Sequence, residues 1–170
     1  MNDEVKKAED NDEESNAKPV INVSTHIEDS YVSEDDLKIE IHKLINSIDN
    51  KDSFLAVKQE LEDRFGKISE DMTIYMYEEW FEKLVCRLKL SNVHQNRNSI
   101  ELVFPAEIVE KMDTEELFMD AFQVSNMFRF ISRGTNLVIV LDIIKLEKHP
   151  IFYLVDLLDK IDTKFGKSID

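Results

Sequence analysis

The chain has 170 residues, 42% hydrophobic and 34% charged, with a formal charge of -15. That length suits one core-forming domain, and that charge repels phosphate backbones and anionic membrane surfaces, so direct capture of nucleic acid or lipid is not expected. Only three glycines and three prolines occur, too few for a sandwich of many tight turns, which leaves long helices on short connections.

Met1 to Glu14 holds seven acids and two lysines, without the basic start and apolar stretch of a secretory signal. A single cysteine, Cys86, has no partner for an intramolecular disulfide; with the missing signal it predicts a cytoplasmic protein. Its neighbours Leu84, Val85 and Leu88 predict that it sits on a packed helix face. Residues 1–18 read as an acidic linker with little to bury, connected to something upstream. No apolar run approaches the roughly 20 residues that cross a bilayer. One domain is predicted over residues 19–165, with 166–170 as a tail.

After Pro19, the residues Val20, Ile21, Val23 and Ile27 form a β-prone run, a strand or an extended arm. Leu37, Ile41, Leu44, Ile45 and Ile48 recur as one helical stripe, entered through Ser33 with Glu34, Asp35 and Asp36 near the positive helix end. A second helix runs from Asp52 or Ser53 to Phe65, with Phe54, Val57, Leu61 and Phe65 on one face and Gly66 ending it in a left-handed conformation. Its outer face pairs Lys58 with Glu62 and Glu60 with Arg64. Ser69 caps a third helix to about Leu90, whose Ile74, Tyr77, Trp80, Phe81, Leu84, Val85 and Leu88 cover too broad a face for a surface helix.

Beyond Leu90 the period changes. Val93 and Ile100 to Phe104 flank a polar loop and predict a hairpin. Pro105 suits the first turn of a short helix. Asp113 or Thr114 starts another, carrying Leu117, Ala121, Val124 and Phe128. Phe128 to Ile131 and Leu137 to Ile144 surround Arg133-Gly134-Thr135-Asn136, a second hairpin. Pro150 opens a last helix with Ile151, Leu154, Val155, Leu158 and Ile161 on one side. The fold class is α+β: a helix-rich N-terminal half, then small antiparallel hairpins with packed helices.

Ile27 to Met72 contains Tyr31-Val32, Lys43 and an intact Glu60-Leu61-Glu62-Asp63-Arg64-Phe65-Gly66. In order and spacing this stretch resembles the opening of the C-terminal domain of bacterial transcription-repair coupling factors. It departs from that pattern at Glu28 for a proline, Lys38 for an arginine, His42 for a tyrosine and Ser69 for a proline. The resemblance implies a parent that binds stalled RNA polymerase, translocates on DNA with ATP and Mg, and recruits UvrA. It implies that this segment is a regulatory cover, packed on the N-terminal UvrA-binding module and released when the motor engages polymerase. No Gly-x-x-x-x-Gly-Lys-Ser/Thr loop occurs in the chain, so the segment is expected neither to bind nor to hydrolyse ATP.

Candidate contacts are Glu60, Asp63 and Arg64 on the second helix and Glu78, Glu79 and Glu82 on the third. Arg64 offers a planar fork of donors to a partner carboxylate; the plainer reading is a helix-end cation paired with Glu60. Phe65 and Gly66 read as packing and helix termination before recognition. Glu78 and Glu82, one turn apart, suit a carboxylate pair for acid chemistry or a divalent ion, or more simply a solvated acidic face. Met72 and Met76 read as core filler before an adaptable docking surface. His26, His42, His94 and His149 lack metal-ligand spacing, so neither metal nor cofactor is expected here. Two rival classes remain: a free-standing acidic adaptor that binds a basic protein, and an enzyme with an unrecognised site, for which no nucleophile and base are placed together.

Overall fold

The computed structural model describes residues 25–170, so the 1–18 linker and most of the β-prone run after Pro19 lie outside the described residues. Of that run, Ile27 is buried without regular secondary structure. Three helices follow: α1 (Asp35–Asn46), α2 (Lys51–Phe65) and α3 (Glu70–Arg87). The α1 stripe is as predicted, with Ile41 and Ile45 inward and Ile48 buried just beyond. Its N-cap, however, is Glu34 rather than Ser33, and no side chain caps it. Helix α2 starts one residue earlier than the sequence suggested. Asn50 accepts from the Ser53 N–H while the Ser53 hydroxyl answers the Asn50 N–H, a reciprocal box that makes Ser53 the third helical residue.

Ser69 caps α3 as expected, accepting from Met72 N–H. The helix stops before Leu90 in a Schellman turn. Lys89 takes φ 57, its N–H bonds Cys86 O, and Leu90 N–H reaches back to Val85 O. Met72 and Met76 are core residues. Cys86 is exposed, a correction to the packed face predicted for it: its position on α3 turns past Val85 into the cleft lined by Asp49, Glu82, Lys83 and Arg87.

Strands β1 (Asn92–Gln95) and β2 (Ser99–Phe104) form the first hairpin, then come α4 (Ala106–Val109) and α5 (Thr114–Val124). Strands β3 (Phe128–Arg133) and β4 (Asn136–Asp142) form the second hairpin, and α6 (Pro150–Ile169) closes the chain. Phe128 therefore opens a strand instead of ending a helix, and Ile143 and Ile144 lie past the end of β4. The two hairpins are not separate: β2 pairs antiparallel with β4, Ser99 opposite Asp142 and Phe104 opposite Leu137, giving one sheet in the order β1-β2-β4-β3.

Residues 166–169 are not a tail but the last turn of α6, with Ile169 fully buried. A Cβ at Gly166 would come 2.5 Å from Asp162 Oδ1, the free end of a side chain that a rotamer change moves aside, and that carboxylate leans towards Arg87 Nε at 3.4 Å. Helices α3 and α6 form the spine. Phe54 of α2, Tyr77 and Trp80 of α3, and Phe152 of α6 join in a ring cluster with centroids 4.7–5.8 Å apart, the edge-on and offset geometry that aromatic quadrupoles favour. One sheet face, through Ile100, Leu102, Phe104, Phe128, Ile139 and Leu141, joins this core. The other carries a small cluster of Val103, Val138, Val140 and Ile131.

Candidate functional site

The C-terminal turn of α2 is fixed from both sides. Tyr31 Oη donates to Gly66 O at 2.9 Å and lies 3.2 Å from Leu61 O, while its ring tilts against Phe65 at 6.2 Å. Arg64 Nη1 reaches Glu60 at 3.2 Å, the predicted pair, and also Glu40 on α1 at 2.7 Å. Its guanidinium lies 4.8 Å over the Phe65 ring. The shared hydrogen bond holds the Glu40 carboxyl below its ordinary range and raises Arg64. Glu60, Asp63 and Arg64 are all exposed, and Asp63 has no ion-pair partner among the described residues. A cleft of about 420 Å³ opens beside the turn, lined by His26, Glu28, Tyr31, Lys67, Ser69 and Asp71 among others.

The three acids of α3 behave differently. Glu78 is completely buried and neither of its oxygens has a conventional donor, so it is not part of a solvated acidic face and is removed from the candidate contact surface. Burial, then the charges of Glu82 and Glu79, push its carboxyl up to about 9. It is therefore a neutral acid at pH 7, able to donate its proton to Glu82. Burial and Glu79 push Glu82 up to about 7. Glu79 and Glu82 remain half-buried. The same charges, after burial, push the Tyr75 phenol up to about 12.

Tyr75 connects this cluster to α1. Its hydroxyl lies 2.8 Å from His42 Nδ1 and donates to Asn46 Oδ1 at 3.0 Å. No hydrogen bond or ion pair joins the α3 acids to the Glu60–Arg64 turn among the described residues. The six candidates thus divide into an exposed turn and a largely interior acid cluster. Among the described residues no group of three His, Cys, Asp or Glu side chains is placed to hold a metal ion, and no helix is long and apolar enough to cross a membrane.

Sequence reasoning missed Glu40, whose pairing with Arg64 spans 24 positions, and Tyr31 as the clamp on α2. It also missed the exposed apolar side of α5. There the signal was present: Phe118, Met119 and Phe122 widen the stripe of Leu117, Ala121 and Val124 beyond what one buried face can hold.

The family model described as TRCF domain matches residues 21–115, more than half of the chain. Among solved structures, "Crystal structure of C-terminal domain of transcription-repair coupling factor" is similar with a TM-score of 0.67 at 22% identity, covering 88% of this chain and 89% of that one. At that identity the likeness is one of fold, and its 88% coverage reaches past residue 115, where the family model ends, into the part of the chain that holds α5, β3, β4 and α6. None of the curated proteins compared matches the chain.

Proposed function

This chain belongs to the TRCF domain family, and from that premise we propose that it is the non-catalytic regulatory domain of a cytoplasmic transcription-repair coupling factor. In this reading the ATP- and Mg-dependent motor lies in the parent, which translocates on DNA, displaces stalled RNA polymerase and recruits UvrA in nucleotide-excision repair. The domain packs against the parent's N-terminal UvrA-binding module and masks it until the motor engages polymerase.

The observation that carries the proposal is the pre-set turn of Glu60, Asp63 and Arg64. Two carboxylates and an aromatic ring orient Arg64, Tyr31 anchors the backbone beneath it, and Asp63 is exposed with no ion-pair partner among the described residues. Groups held in place before contact lose little conformational freedom on docking. An interface of about 600 to 1,500 Å² within one chain is large enough to hold a closed state and small enough to yield to a competing partner. The net charge of -15 orients docking and rejects nucleic acid more than it adds affinity.

The test is a UvrA titration of the full-length translocase, of the same protein lacking this domain, and of an Asp63→Lys variant. Masking predicts that deletion and the charge reversal each tighten UvrA binding about tenfold. Equal dissociation constants for all three overturn it.

A further inference from the structure

Among the described residues, Ile39, Leu55 and Ile144 are large apolar side chains exposed singly on separate elements, as is usual for surface apolars. Phe118 (43% exposed), Met119 (63%) and Phe122 (44%) instead lie together on α5. Phe118 and Phe122, one turn apart, pack edge-on at 4.5 Å, and Phe118 meets Phe130 of β3 at 5.0 Å. Beside them is a groove of about 480 Å³ lined by Thr114, Glu115, Phe118, Met119 and Phe130.

The rim of this face is acidic. Glu115 is the charged residue that lines the groove, and it makes no ion pair among the described residues. Asp113, which caps α5 by accepting from the Glu115 and Glu116 N–H groups, has no cation beside it among them either. Lys164 is the only cation bonded to α5 among the described residues, and Glu116 and Asp120 share it at 2.7 and 2.9 Å. The carboxylates of Asp113, Glu115, Glu116 and Asp120 thus stand against a single ammonium. Arg129 and Arg133 do not offset them: alternation along β3 sets both on the face opposite Phe130, where Asp142 and Glu101 hold them.

We infer that the exposed side of α5 docks a basic amphipathic helix of a partner protein. A helix laid along α5 presents side chains at one-turn intervals, the spacing of Phe118 and Phe122, so its apolar ridge packs against those rings and Met119. Lysines or arginines flanking that ridge reach Glu115 and Asp113, for which no cation of the described chain competes. The same carboxylates select against the other occupants. A segment as acidic as residues 1–14, with seven acids and two lysines, is repelled, and so is an anionic membrane. A second copy brings the same acidic rim and another charge of -15 to the joint.

Fluorescence anisotropy of a labelled synthetic helix with the full chain tests this. The probe has about 18 residues, leucine on one face and lysine on the other, and its leucine–glutamate counterpart is the control. The lysine helix should bind and the glutamate helix should not. Met119→Glu should weaken binding about tenfold, although it adds a negative charge that would tighten any attraction to net charge alone. Glu115→Lys should weaken it as well, whereas Glu107→Lys, the same reversal on α4, should leave it unchanged. All three positions are exposed, so the substitutions spare the core. None belongs to the Glu60–Arg64 turn, so the result is independent of the masking proposal. The inference fails if neither helix binds, if both bind alike, if Met119→Glu binds as tightly as the unaltered chain, or if Glu107→Lys weakens binding as much as Glu115→Lys. It fails too if sedimentation shows a dimer that Met119→Glu dissociates, since a second copy then covers the face.

Discussion

Tyr31 Oη donates to the carbonyl of Gly66 at 2.9 Å, joining positions 35 apart in sequence across the end of α2. The carbonyls at a helix C-terminus have no intrahelical donor, so a side-chain hydroxyl from outside satisfies one of them. Tyr31→Phe keeps the ring contact with Phe65 and removes only the donor. Urea unfolding should show a loss of about 1 kcal/mol, with amide exchange in the last turn of α2 accelerated more than elsewhere. No change in either signal would mean that water replaces the hydroxyl at no cost.

Gly66 is where the sequence reading was right in kind and wrong in detail. Its φ is 95 and its ψ is -175, so the residue is not in the left-handed helical basin that asparagine tolerates. It occupies an extended region at positive φ that is almost exclusive to glycine. A Cβ there meets nothing within 4 Å, so the whole cost of substitution is backbone strain. Gly66→Ala and Gly66→Asn should therefore destabilise alike, by about 1–3 kcal/mol in denaturant titration. An asparagine variant close to wild type would place Gly66 in the left-handed helical basin after all.

The pattern of legibility follows the range of the interactions. The stripe of Ile41, Ile45 and Ile48, the Ser69 cap and both hairpin turns are local, and each was readable from neighbours within a few residues. The pairing of Ser99 with Asp142, the reach of Arg64 to Glu40 and the clamp of Tyr31 on Gly66 depend on tertiary placement, which periodicity does not encode. Glu78 was misread for a related reason. Glu78, Glu79 and Glu82 are adjacent acids, yet the 100° step between helix residues turns Glu78 inward, beneath Ile74 and Phe81 on the packed side of α3.

Lys164 joins α6 to α5, contacting buried Asp120 at 3.0 and 2.9 Å and half-buried Glu116 at 2.7 Å. Asp120 is only 4% exposed, and removing its cation leaves a carboxylate with little water to solvate it. Lys164 itself is solvent-accessible, so water and salt screen the pair, and Lys164→Ala should destabilise the chain less at high ionic strength than at low. The double variant Asp120→Asn with Lys164→Ala should recover part of that loss, as the stranded charge is gone. A thermodynamic cycle of the single and double variants measures that coupling, and additive losses would show that the pair is independent.

Glu78 makes stability depend on pH in a direction opposite to that of a salt-bridged acid. Its folded-state carboxyl is pushed up to about 9 from an ordinary 4.5, so between those values the folded chain keeps a proton that the unfolded chain has released. Stability from this group is complete below the ordinary value and is lost as pH rises towards 9, with a slope of at most about 1.4 kcal/mol per pH unit. Glu78→Gln mimics the protonated acid at every pH and removes that slope. The difference in unfolding free energy between variant and wild type should therefore be flat near pH 4 and grow in the variant's favour from pH 5 to 8. Glu82, pushed up to about 7 by its own burial and by Glu79, leaves a smaller slope of the same sign in the variant. A difference curve that stays level across that window would mean Glu78 is ionised in the folded protein. Its two oxygens would then need donors that the interior around α3 does not supply.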